Sequence, residues 1–275
     1  MTQKSSRCEQ NVGGQLIPNP AKRFLEPKNN YTVETITTAK GKKTEVKAFD
    51  SVSLGYSEKN GEEWEQKTLD LPIEFAILNG DWVNFKGWND TDKCKYWSNE
   101  VKDNTSTITI RNKEGIVFEF TLKEMWEKVP GTKNKTENAK NIAARLKELN
   151  VKQHSSIYIV LRGTDEIINL QLKGSNLSGS KDPENQPSGW WNVSKKFKPN
   201  NNLYKYWFQI NDWLEETTDI GTFGILNFTQ GELINKEDGV SLDALFDELA
   251  AYHEFYTNKP ELVKEEPEVA VSEDI

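Results

Sequence analysis

The stretch Leu69–Trp88 reads LDLPIEFAILNGDWVNFKGW, and its pattern decides the fold class. The first half is apolar enough for a strand, and Asn79-Gly80 after it is the dipeptide best suited to a tight hairpin turn. In the second half Trp82, Asn84, Lys86 and Trp88 alternate with Val83 and Phe85, a period of two that sends the two sets to opposite faces of a strand. Because Asn84 and Lys86 accompany the two tryptophans, the face they share is expected to meet solvent.

Working outward from that stretch, the strand signals continue. CKYWSNEV (94–101) and TSTITIR (105–111) are joined by a turn at Asp103-Asn104, and IVFEFTL (116–122) follows a turn at Lys113-Glu114-Gly115. The period then changes. Thr136 caps TENAKNIAARLKELN, where Ile142, Leu146 and Leu149 fall at helical spacing and Asn150 ends the run. Strands resume with SSIYIVLR (155–162) and EIINLQLKGS (166–175). Upstream, Tyr31–Thr38 and Thr44–Leu54 read as a hairpin across Lys40-Gly41-Lys42. Downstream, LYKYWFQINDWL (203–214) and IGTFGILNF (220–228) add two strands. A last helix, capped at Ser241, carries the stripe Leu242, Leu245, Phe246, Leu249 and Tyr256.

That order predicts a mainly β (α+β) fold with two helices. The expected core is an OB-like antiparallel barrel with one helix between strands 3 and 4, plus extra strands and the C-terminal helix. Residues 1–30, punctuated by Asn19-Pro20 and Glu26-Pro27, read as an extended segment. Residues 31–258 read as one domain, with a Gly/Ser/Pro/Asn-rich insertion near 175–202, and residues 259–275 read as a disordered acidic tail.

Composition narrows the function classes. The chain holds 275 residues, is 35% hydrophobic and carries a formal charge of −8, yet includes nine Trp, eight Tyr and twelve Phe. Aromatics in excess of a modest core's needs gather at contact sites. No apolar run approaches the ~20 residues of a membrane-spanning helix, so no membrane partner is expected. The N-terminus has no apolar signal-peptide region, which predicts a cytoplasmic protein. Two cysteines, Cys8 and Cys94, and two histidines, His154 and His253, stand at spacings that form neither a disulfide framework nor a zinc site, so no metal or other cofactor is expected. The carboxylates form no distinguishable acid/base pair, and no Ser-His-Asp or Cys-His pattern is readable. The sequence therefore predicts a protein that is not an enzyme.

Three clusters interleave aromatic rings with cations. From these the candidate contacts are Trp82, Lys86, Trp88, Lys93, Lys95, Tyr96, Trp97, Trp190, Trp191, Lys195, Lys196, Tyr204 and Tyr206, with Arg111 on the neighbouring strand. Bases stack on aromatic faces and lysines neutralise phosphates, so this mixture suits a sequence-tolerant groove for single-stranded nucleic acid. Against it stands the ordinary fate of strand aromatics, half of which point into a core.

Lys259–Ile275 adds a second theme, with six acidic residues against two lysines. Subtracting these from the chain's 43 and 35 leaves a body of 37 acidic and 33 basic groups, close to balance. Such a tail either keeps the protein soluble or recruits partners.

The stretches IPNPAKRFLEP (17–27), LPIEFAILNGDWVNFKGW (71–88), YWSNEVKD (96–103), SIYIVLR (156–162), INLQLKGSNLSG (168–179) and LFDELAAYHEFY (245–256) carry a resemblance. Together they resemble the single-stranded-DNA-binding proteins of crAss-like and related large tailed bacteriophages. The resemblance implies an OB-type fold, a role in phage DNA replication or recombination, and work in the host cytoplasm during infection. It also implies that Glu265, Glu266, Glu268, Glu273 and Asp274 bind replication or recombination proteins. Two other readings stay open: a phage virion structural or cargo protein, and a carbohydrate-binding module whose tryptophans stack on sugars. The oligomeric state is open as well.

Overall fold

A computed structural model describes residues 11–12, 15–16, 19–37, 43–60, 63–180, 189–197, 203–218 and 221–257. In chain order the strands are β1 (Asn11–Val12), β2 (Gln15–Leu16), β3 (Arg23–Thr37), β4 (Lys43–Asn60), β5 (Glu63–Leu69), β6 (Ile73–Asn89), β7 (Cys94–Ser98), β8 (Thr107–Asn112), β9 (Gly115–Thr121), β10 (Lys152–Leu161), β11 (Ile167–Leu172), β12 (Tyr206–Thr218) and β13 (Gly221–Leu233). The helices are α1 (Leu122–Trp126), α2 (Glu137–Glu148), α3 (Ser175–Ser178), α4 (Trp190–Phe197) and α5 (Lys236–Thr257). The fold is mainly β, as the sequence predicts, but the described residues hold five helices where two were expected. The expected single domain divides into two compact units, one built on Asn79–Ile157 with the Ala251 end of α5, the other on Pro20–Leu78 and Tyr158–Ala250.

In the first unit the C-terminal half of β6 opens an antiparallel run β6-β7-β8-β9, and β10 lies on the other side of β6. Two Asx-type turns make its tight corners. The Asp103 carboxylate accepts from the backbone N–H groups of Thr105 and Ser106 before β8. The Ser106 hydroxyl first, then the Thr105 hydroxyl and these backbone bonds, hold its pKa far below the usual carboxylate range. Asn112 does the same for Glu114 and Gly115, where Gly115 at φ +134° takes a backbone conformation that L side chains rarely adopt.

Thr121 then starts α1 with a reciprocal capping box to Glu124. Thr136 caps α2 as expected, through a bond from the Ala139 N–H. Ala139, Ile142 and Leu146 turn inward at helical spacing, and the latter two join Phe85, Tyr96, Ile108, Ile110, Phe120 and Met125 in the core. Burying each large apolar side chain there stabilises the fold by about 1.5–3 kcal/mol. Asn150 ends the helical run at φ +53°, and its side chain donates to the Trp88 carbonyl over 2.7 Å. Gly87 permits that contact, because a Cβ there would lie 2.0 Å from the Asn150 carbonyl oxygen.

In the second unit β5-β4-β3 is an antiparallel meander. The expected pairing of 31–38 with 44–54 is present, with Tyr31 opposite Phe49 and Thr37 opposite Lys43, while Lys40-Gly41-Lys42 lies outside the described residues. β11 runs parallel to β3, through Ile168–Arg23 and Leu170–Leu25. β12 pairs with both β13 and the N-terminal half of β6.

The expected antiparallel barrel is thus corrected in two respects. The strand order has free ends, so the sheet is open, and the β3–β11 pair makes it mixed. The Asn79-Gly80 hairpin is also corrected: β6 continues through it. Ladders on both halves hold it extended, Ile73–Ala76 with β12 and Lys86–Asn89 with β7, and they outweigh a local turn preference.

Candidate functional site

Alternation on β6, β7 and β8 sorts the first cluster cleanly. Phe85, Tyr96 and Ile110 face the core, so their strand neighbours Lys86, Trp97 and Arg111 take the opposite face. The register then builds a row across three strands, because Lys86 lies opposite Trp97 and Trp97 opposite Arg111. A second row sits two residues along, with Trp88 opposite Lys95. Directly opposed side chains on one face stand ~4.5–5.5 Å apart at Cβ and diagonal ones ~7–8 Å apart. The result is a checkerboard of three cations and two indoles.

Trp88 is 37% exposed, and its indole N–H donates to Asp90 at 3.0 Å, which fixes the ring. Lys86, Lys95, Trp97 and Arg111 are half-buried. The Arg111 Nε is buried and has no hydrogen-bond partner among the described residues. Its charge nevertheless adds a third cation to the strand face shared with Lys86 and Lys95.

Other candidates from the same cluster are corrected. Trp82 is only 8% exposed because the His253 ring of α5 stacks on it at 4.1 Å, with the Lys102 ammonium 5.9 Å from the indole centroid. Burial, and then Lys102, lower the His253 pKa to about 4. Asn84 does not mark a wet face: it is buried and donates to Glu100 and Ser156. Tyr96 is a core residue whose hydroxyl donates to Asp92 over 2.9 Å, and burial together with that bond pushes its pKa up. Lys93 is exposed in the turn before β7, at φ +48°.

The remaining candidates belong to the second unit. Trp190 is corrected to the core: it is 0% exposed and packs edge-on against Phe208 and Phe228. That burial organises Trp190–Phe197 as helix α4 where irregular chain was expected. Trp191 is exposed, and Lys195, four residues on, shares its side of the helix with Lys196 adjacent. Tyr204 is exposed and Tyr206 half-buried. Glu265, Glu266, Glu268, Glu273 and Asp274 lie outside the described residues.

The strand pattern gives no hint of one further aromatic. Trp126, at the end of α1, is 50% exposed with the Lys135 ammonium 4.2 Å from its ring centroid. Its signal in the sequence is five lysines between positions 123 and 140 around a lone tryptophan. Among the described residues no group of His, Cys, Asp or Glu is arranged to hold a metal ion, and no helix is long and apolar enough to cross a membrane. Comparisons with protein-family models, with curated proteins and with solved structures give no match.

Proposed function

We propose that this protein is a non-catalytic, sequence-tolerant binder of single-stranded DNA, and that the β6–β7–β8 face is its stacking platform. The observation that carries the reading is the checkerboard of Lys86, Trp88, Lys95, Trp97 and Arg111 on one strand face. Each base–indole stack contributes about 1–3 kcal/mol and needs no particular base, while the interleaved cations neutralise phosphates. The antiparallel run followed by a helix and a returning strand supports an OB-like relationship for the first unit.

In this reading the protein serves phage DNA replication or recombination in the host cytoplasm, and the acidic residues of 259–275 recruit partner enzymes. Kinship with the single-stranded-DNA-binding proteins of crAss-like phages is part of the same proposal. The test is a titration of poly-dT and of duplex DNA at several salt concentrations. Tighter binding to poly-dT, weakening steeply with salt, is expected. Equal or absent binding to both overturns the reading.

A further inference from the structure

We infer that the Trp126–Lys135 loop is a second contact for the same DNA strand, a cationic clip separate from the strand-face platform. The inference rests on the single-strand-binding reading above and adds a site to it.

Met125 and Leu122 supply α1's apolar contacts to the core, so packing does not require the neighbouring indole of Trp126. The loop after it is nevertheless well fixed. Lys128 and Lys135 form an antiparallel bridge, Val129 donates to the Asn134 carbonyl over 2.9 Å, and Thr136 donates to the Glu127 carbonyl over 3.1 Å. Gly131, at φ +75°, closes the turn.

That bridge sets two lysines opposite each other, an arrangement that is destabilising by itself. Nearby carboxylates are engaged elsewhere: Glu124 in the α1 capping box, Glu127 with the Thr136 hydroxyl, and Glu137 with Lys140. Among the described residues Lys123, Lys128 and Lys133 have no ion-pair partner. A fixed loop that presents a half-exposed indole under the Lys135 ammonium, in a stretch where five lysines outnumber three carboxylates between positions 123 and 140, matches a polyanion carrying planar rings. An unpaired DNA strand supplies both, through its phosphates and its bases.

The experiment measures dT30 binding by the full-length protein and by Trp126→Ala, Trp126→Phe and Lys128→Ala/Lys133→Ala, with Trp88→Ala alongside. Trp126→Ala should weaken binding about 5- to 150-fold, with Trp126→Phe retaining most of the affinity. The double lysine variant should lower the log–log salt slope by about 1.4, at about 0.7 for each phosphate left without its lysine. Circular dichroism of each variant should match the parent, since these side chains lie outside the core. Parent-like affinity and slope in the Trp126 and lysine variants, with Trp88→Ala impaired, overturn the clip and leave the platform standing. Absence of dT30 binding by the parent overturns both.

Discussion

Trp82 and Trp88 occupy the same strand, an even number of residues apart, yet only Trp88 meets solvent. The alternation in DWVNFKGW was legible and does place Phe85 in the core, but alternation cannot reveal what later chain folds over a face. Here His253, 171 positions after Trp82, covers it. The two residues should therefore behave in opposite ways. Trp88→Ala should lose about 1–3 kcal/mol of single-strand binding with little change in melting temperature. Trp82→Ala should instead lower the melting temperature, with a loss of about 3–5 kcal/mol typical of a large aromatic removed from a core. A titration and a thermal melt on each variant check both outcomes.

His253 gives the residue scale a pH dependence. Its pKa of about 4 in the folded chain lies below the usual 6.5, so the native state favours the neutral ring. Above pH 6.5 neither state is protonated and the group is silent. As pH falls, the unfolded chain takes up the proton first, and stability declines from pH 6.5 towards pH 4. By pH 5 the loss from this group is about 2 kcal/mol. His253→Phe keeps a ring against Trp82 and removes the titration, so denaturant unfolding at pH 7 and pH 5 should show a smaller acid-induced loss in the variant. Equal losses in the two proteins would refute the assignment.

At the level of elements, the Thr136 cap and the turns at Asp103-Asn104 and Lys113-Glu114-Gly115 were readable because each acts within a few residues of chain. The Thr121–Glu124 capping box was equally local, but the strand pattern of IVFEFTL ran into it and hid α1. Longer-range contacts hid the rest. Asn79-Gly80 favours a turn, yet β6 is held extended by neighbours distant in sequence, and α4 exists because Trp190 is buried against Phe208 and Phe228. Gly87 makes the same lesson testable. Its missing side chain lets the end of α2 reach the Trp88 backbone, so Gly87→Ala should destabilise the protein by about 1–3 kcal/mol through overpacking. Because that contact also fixes Trp88, the variant should bind poly-dT more weakly than its stability loss alone explains. Parent-like unfolding in urea would show that the strand and the helix end can separate without cost.

For the whole molecule, a formal charge of −8 argues against non-specific attraction to DNA, so the proposed binding would have to come from local placement. Composition could report the balance of the body but not that three cations and two indoles share one face, since register between β6, β7 and β8 sets that. If residues 259–275 act as an internal polyanion, removing them should raise poly-dT affinity at low salt, and the gain should shrink as salt screens the tail. A truncated protein with unchanged affinity at every salt concentration would exclude the tail from competition.

The most direct measurement is the log–log salt slope of dT30 binding in the parent and in the combined Lys86→Ala/Lys95→Ala/Arg111→Ala variant. If these three cations neutralise phosphates, the slope should fall by about 2, at about 0.7 for each cation removed. An identical slope in the two proteins would mean that the DNA lies elsewhere, or that it is not the ligand.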